Sequence, residues 1–92
     1  MSVGNISIDP DLAIASGTKI SEYAATYINE VKKIYDIVND LKQAWTGSAA
    51  QRFTNDIESF KEDYEKFGQL LVNYGDILTS LGKDYKSLEE NL

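Results

Sequence analysis

Apolar side chains recur along the chain at spacings that alternate four and three residues, in two long runs. The first run places Ile20, Ala24, Tyr27, Val31, Ile34, Val38, Leu41 and Trp45 on one side of a helix, the signature of a heptad stripe. The second run keeps the rule with larger residues: Phe53, Ile57, Phe60, Tyr64, Phe67, Leu71, Tyr74, Leu78, Leu81, Tyr85, Leu88 and Leu92. No beat is missed, so the pattern predicts an all-α chain of two long helices, each uninterrupted.

Local signals set the expected boundaries. Asp9 is placed to cap the first helix with Pro10 in its first turn, where the missing N–H costs nothing and the fixed φ suits the helix. Gly17 weakens the early turns, so a start near Thr18 is the alternative. Upstream, Ile6 and Ile8 alternate with polar residues, as in a short extended arm. Ser48 and Gln51 have the spacing of a capping box, which starts the second helix just after Gly47. Gly47 suits the left-handed conformation that closes a helix without a Cβ penalty. A link of two or three residues forces the helices antiparallel, with Trp45 as the last rung at the closed end. The expected division of this single domain is an arm at 1–9, a helix at about 10–44, a turn at 45–47, a helix at about 48–84 and a tail at 85–92.

Folding back about Gly47 pairs residues whose numbers sum to 94 or 95: Leu41 with Phe53, Val38 with Ile57, Ile34 with Phe60, Val31 with Tyr64, Tyr27 with Phe67 and Ala24 with Leu71. Smaller residues then face larger ones, as interdigitation requires. Arms of about 35 residues make a rod of about 50 Å. Residue 85 falls opposite residue 9, so the last turns are expected to overhang as an exposed tail.

Beside the stripes lie Tyr23, Ile28, Tyr35 and Ile37 on the first helix, and Leu70 and Ile77 on the second. Two helices cannot cover both flanks of their own seam, so these side chains call for another chain. Gly68, Gly75 and Gly82 recur every seven residues, each costing about 1 kcal/mol of helix propensity against alanine. The expectation is that this column lets a partner helix approach, closing a dimeric four-helix bundle; local flexibility is the other explanation.

Composition narrows the role. A 92-residue chain buries little apolar surface, and with no Cys and no His neither disulfides nor the usual metal clips support it. The net charge of −6, with Arg52 the only arginine, argues against nucleic acid and anionic membranes. No apolar run approaches the roughly 18 residues of a spanning helix. The first basic side chain is Lys19, so no cleavable signal peptide is expected. Without His or Cys the commonest nucleophile and base arrangements are missing. Glu58, Glu62, Asp63 and Glu65 beside Lys61 and Lys66 read as a solvated face, and the Asp-Pro-Asp at 9–11 as a cap rather than a cation site. No catalytic residue, metal, cofactor or small-molecule substrate is expected, since two rods offer no concave pocket.

A helical hairpin of about this length with Trp45-Thr46-Gly47 at its midpoint resembles the WXG family, small proteins similar to the early secreted antigenic target of mycobacteria. Tyr85 followed four residues later by Glu89 matches the family's C-terminal Tyr-x-x-x-Asp/Glu export motif, and Leu92 supplies the apolar residue three positions on. On residue physics alone, Tyr85 is equally another stripe residue. The resemblance implies a substrate or adaptor of the type VII (ESX or Ess) secretion system of a Gram-positive or mycobacterial-type bacterium. Such a protein is made in the cytoplasm, paired with itself or a related family member, recognised by the system's ATPase and secreted without a cleavable signal peptide. It also implies joint action of the Trp-x-Gly turn and a partner's tail motif, which an antiparallel dimer brings side by side. Two other roles fit the same residues: a targeting chaperone for the helical leader of a larger secreted toxin, and a coiled-coil adaptor unrelated to secretion.

Overall fold

The computed structural model describes residues 8–90, which form three helices in chain order: α1, Pro10–Ala44; α2, Ser48–Ser59; and α3, Lys61–Glu90. Ile6 of the expected arm and Leu92 of the expected tail lie outside the described residues. α1 begins where Asp9 and Pro10 place it, not near Thr18, because the Asp9 carboxylate accepts the N–H groups of Asp11 (3.0 Å) and Leu12 (3.2 Å). Those two donors have no partner within the helix, and the cap satisfies both. α1 then folds back against α2 and α3 to make a hairpin of 68 × 25 × 13 Å. Its depth is that of a single helix. The structure is therefore one layer, two helices wide.

What lies in the seam between the arms differs from the expected pairing. On α1 the buried residues are Ala13, Gly17, Ala24, Tyr35 and Val38; on α3 they are Gly68, Gly75 and Gly82. A Cβ on Gly75 would sit 3.0 Å from the Gly17 carbonyl oxygen, and one on Gly82 would sit 2.8 Å from that of Pro10. The glycine column thus lets α1 of the same chain approach backbone to backbone, and Gly68, Gly75 and Gly82 do not face a partner. The physical reason is steric: two helices come closest where their side chains are smallest, so the small residues of both arms draw the seam toward themselves. Gly17 belongs to the same contact and is a packing residue, not merely a weak point in α1.

This seam also shifts the register. Gly68 faces Ile28, Gly75 faces Ser21, Gly82 faces Ile14 and Gly17 faces Thr79, pairs that each sum to 96. Tyr85 therefore lies opposite the first turn of α1, and Lys86 reaches Asp11 at 2.9 Å. The overhang starts later than expected, and α3 continues as regular helix to Glu90 with no boundary near 84.

The second arm is not continuous. α2 ends at Ser59, and Phe60 caps it with φ −94° and ψ −5°, its N–H directed to the Ile57 carbonyl at 3.3 Å. The Ser59 hydroxyl donates to the Asp56 carbonyl at 2.6 Å, competing for the backbone acceptor that a regular helix would offer Phe60. Apolar periodicity carries no information about such a local competition, so the heptad stripe runs across the break unmarked.

Tyr35, expected at a partner interface, instead closes the seam beside the break. It is 6% exposed and its hydroxyl donates to the Ile57 carbonyl at 2.6 Å. Burial, then the neighbouring Tyr64, Glu65, Glu58 and Tyr27, hold this hydroxyl above the usual tyrosine range. An unfolded tyrosine loses its proton near pH 10, and the folded one does so higher. The Tyr35 contribution is thus complete below about pH 10 and is lost as pH climbs through the folded value. Tyr35→Phe should cost about 1 kcal/mol at neutral pH, from the lost hydrogen bond to the Ile57 carbonyl, which keeps only the longer one from the Phe60 N–H. Its stability should also fall less steeply than the parent's above pH 10, which thermal melts followed by circular dichroism between pH 8 and 11 would measure.

Candidate functional site

With the small residues turned into the seam, the large ones are left on one side of it. Phe67, Tyr74 and Leu81 each immediately precede a seam glycine, so the 100° step of the helix carries them out of the seam in the same direction. All three are exposed, as are Phe60, Tyr64, Tyr85 and Leu88 on the same arm. On α1 the matching column is Ile20, Tyr27 and Ile34. The two columns meet on one face, where the Tyr27 and Phe67 rings stand edge to face with centroids 5.5 Å apart. Between them runs a groove lined by Tyr27, Val31, Ile34, Tyr35, Ile57 and Tyr64, with Glu30 at its rim.

The opposite side of the seam is different in chemistry. Its groove is lined by Lys32, Asp36, Asn39, Lys61 and Glu65 together with Ile28, Val31 and Tyr35, and the Lys61 ammonium lies 5.7 Å from the centre of the Tyr35 ring. The hairpin therefore has one face of large apolar side chains, an opposite face on which charged residues flank Ile28, Val31 and Tyr35, and a seam of small residues between.

The remaining residues expected at an interface fall as follows. Tyr23 (69% exposed) and Ile37 (64%) lie three positions beyond Ile20 and Ile34. Leu70 and Ile77 lie three positions beyond Phe67 and Tyr74 and are also exposed. At helical spacing these four widen the apolar face on its outer edges, rather than forming a second flank. Ile28 is half-exposed and rests over Gly68 in the seam. Sequence reasoning missed the small-residue partners on α1, although Ala13, Gly17, Ser21 and Ala24 recur at helical spacing and were open to the same reading as the glycine column.

At the closed end, Trp45 is the C-cap of α1, with extended backbone and its N–H bonded to the Leu41 carbonyl at 2.8 Å. Gly47 has φ 111° and ψ 174°, and nothing lies within 4 Å of the place a Cβ would occupy. The dihedral alone calls for glycine. Its strain falls at the entry to α2, where Gly47 is the N-cap, and not as a left-handed closure of α1. Ser48 is already helical and no side chain caps α2, so the expected capping box does not form. An N-cap needs non-helical dihedrals, which Gly47 has and Ser48 lacks. The Trp45 ring packs against Phe53 with centroids 5.9 Å apart and remains 40% exposed. Lys42 and Glu58 tie the two arms together beneath it at 2.5 Å.

At the open end, Tyr85 and Glu89 are one helical turn apart on α3, both exposed. Lys86, held to Asp11 by a hydrogen bond and by charge that raise its pKa, fixes the start of this segment against α1. Asp9 and Asp11 are thus both engaged within the protein, as cap and ion-pair partner. Trp45 and Tyr85 stand at opposite ends of the rod, so a single chain does not bring the turn and the tail together. Among the described residues no group of three or more acidic side chains is arranged to hold a metal ion, and no helix is long and apolar enough to cross a membrane.

A one-layer hairpin with a glycine turn at one end, an exposed aromatic tail at the other and an uncovered apolar face between them defines a small helical-hairpin protein. Residues 5–90 match the family described as proteins of 100 residues with WXG. The chain belongs to this WXG100 family, whose members are small helical secreted proteins associated with type VII secretion and typically pair with one another. Comparisons with curated proteins and with solved structures find no match.

Proposed function

We propose that this protein is a substrate or adaptor of a type VII secretion system, exported folded as a pair of hairpins joined through the open apolar face. The observation that carries the reading is that face: Phe67, Tyr74, Leu81 and their neighbours remain exposed because the glycine seam holds the arms together without them. A domain whose buried hydrophobic core is Ala13, Ala24, Tyr35, Val38 and Ala50 has little internal stabilisation, and a second hairpin on the face would supply more. Self-pairing is preferred to pairing with a related chain because this sequence carries both the Trp45–Gly47 turn and the tail residues. Tyr85 and Glu89, with Leu92 three residues on, would be read by the secretion ATPase beside the Trp45 turn of the other copy. The protein acts by contact, without catalysis or a cofactor.

Secretion assays with Tyr85→Ala and Glu89→Ala test the export reading. Each should lower the secreted fraction at least tenfold while cellular levels hold. Undiminished secretion of both variants would remove the tail from the proposal. The mass and helicity of the purified chain decide the role: a helical dimer supports a self-sufficient substrate. A monomer that gains helix only with the leader of a larger secreted protein would instead make it a targeting chaperone.

A further inference from the structure

We infer that α2 opens as a unit of its own between two joints, Gly47 and Phe60, while the seam between α1 and α3 stays closed, so that the closed end of the rod is an order–disorder switch. This goes beyond the role proposed above and does not depend on how two copies pair.

α2 is the element least able to hold itself. Its 12 residues lie at the length below which isolated helices are marginal in water. α1 starts on the Asp9 cap and carries Asp11 in its first turn and Lys42 in its last. α2 has no side-chain cap, no acidic residue in its first turn and no basic one in its last. No side chain meets its first N–H groups, and neither end of its dipole has a compensating charge on the helix.

Packing adds little. The buried residues of α2 are Ala50 and Thr54, and the Thr54 hydroxyl donates to the Ala50 carbonyl of its own helix at 3.0 Å. The polar and aromatic ties from α2 to the first arm are the Tyr35 bond to the Ile57 carbonyl, the Lys42–Glu58 ion pair and the Trp45–Phe53 ring contact. The ion pair is solvent-exposed on both sides, where such pairs contribute little. The ring contact leaves Trp45 and Phe53 both exposed. The seam is built differently, since Gly17, Gly75 and Gly82 bring α1 and α3 together backbone to backbone. Nothing comparable holds α2.

Both ends of α2 are joints. At Phe60 the Ser59 hydroxyl occupies the Asp56 carbonyl, and the Phe60 N–H turns to Ile57 at 3.3 Å, longer than the usual N–H···O range. The hydrogen-bond ladder that would propagate helical order from α3 into α2 is interrupted there. At Gly47, with φ 111°, nothing lies within 4 Å of the place a Cβ would occupy, so the backbone has room to rearrange. Opening between these joints gives up the Tyr35 bond and the Ala50 contact and leaves the glycine contacts in place. A ligand that recognises the ordered closed end therefore selects the closed form, and its apparent affinity falls with the fraction that is open.

Hydrogen exchange of the full chain, resolved residue by residue by NMR, tests the inference. Amides of residues 52–59 should exchange as a group, at least tenfold faster than those beside Gly17 and Gly75. Urea below the melting range should hardly change the α2 rates while it accelerates the seam amides steeply, because a small opening exposes little surface. Ser59→Ala returns the Asp56 carbonyl to the Phe60 N–H and should slow the α2 amides at least threefold. That is more than the control Asn55→Ala should give, which raises helix propensity without touching the break. Trypsin should cut first at Arg52, exposed in the middle of α2. Exchange of residues 52–59 at the rate and with the urea dependence of the seam would make the hairpin one cooperative unit and overturn the inference. A steady gradient of rates from Gly47 to Phe60 would do the same, since it is fraying from the turn, as would cleavage at Lys32, Lys33 or Lys66 before Arg52. Ser59→Ala with no more effect than Asn55→Ala would overturn the joint at Phe60.

Discussion

Gly75→Leu should separate the two arms of the hairpin. A Cβ at this position would already meet the Ser21 hydroxyl, the Gly17 carbonyl oxygen at 3.0 Å and the Ser21 N–H nitrogen at 3.1 Å. Two of these three are backbone atoms, which cannot swing aside as a flexible side chain does. Helix propensity pulls the other way, because replacing a helical glycine gains about 1 kcal/mol. The clash decides the sign: overpacking costs typically about 1–3 kcal/mol, and leucine adds three further carbons where α1 and α3 touch. With so small a core, a loss of this size removes much of the stability of the domain. Urea melts followed by circular dichroism should show a lower midpoint for Gly75→Leu, and Gly75→Ala should be intermediate. A parallel substitution at exposed Asn73, to alanine, should be neutral or stabilising. If Gly75→Leu melts with the parent, the close approach of Gly17 and Gly75 is not what holds the arms. Spacing alone placed the glycine column against a partner helix; the seam geometry predicts damage to the fold itself.

The second large effect concerns the open face. Ile77→Glu combined with Leu81→Glu replaces two exposed apolar side chains by carboxylates. In an isolated hairpin this costs little, since exposed substitutions usually change stability by about 0.5 kcal/mol or less. In a closed pair it would bury two unpartnered charges per copy, each costing several kcal/mol. A thousandfold or greater rise in the dimer dissociation constant corresponds to about 4 kcal/mol and is the minimum expected. Light scattering over a dilution series would measure it, with helicity as the control for folding. Retention of the dimer by this variant would mean that the face is covered by nothing, or that pairing uses the polar side lined by Lys32, Asp36 and Glu65.

Much of the molecule is legible before any coordinates. The four-three alternation gives two helices, Asp9-Pro10 marks the start of the first, and Gly47 marks the turn, since each depends on residues within a few positions. The stripe of large residues lies beside the seam and not within it: Tyr27 and Phe67 pack as their spacing predicts, with centroids 5.5 Å apart, yet Phe67, Tyr74 and Leu81 stay exposed. Heptad spacing says that Phe67, Tyr74 and Leu81 share a face; it does not say what the face touches. The break at Phe60 escaped notice because it comes from the Ser59 hydroxyl competing for a carbonyl, a matter of geometry within one turn. The burial of Tyr35 against the Ile57 carbonyl joins residues 22 positions apart on different helices, a tertiary contact that spacing within one helix does not report.

What the amino-acid order determined by itself is therefore local: helix, helix, the sharp reversal between them, and the separation of large from small residues around each helix. What only the tertiary structure decided is which set turns inward. Two helices approach until their bulkiest facing groups collide, so the inward set is chosen jointly by both arms. Gly17 and Ser21 on one and Gly75 and Thr79 on the other permit an approach that no aromatic pair could match. That choice sends the aromatics outward, and with it a chain with little core of its own acquires a face suited to a partner.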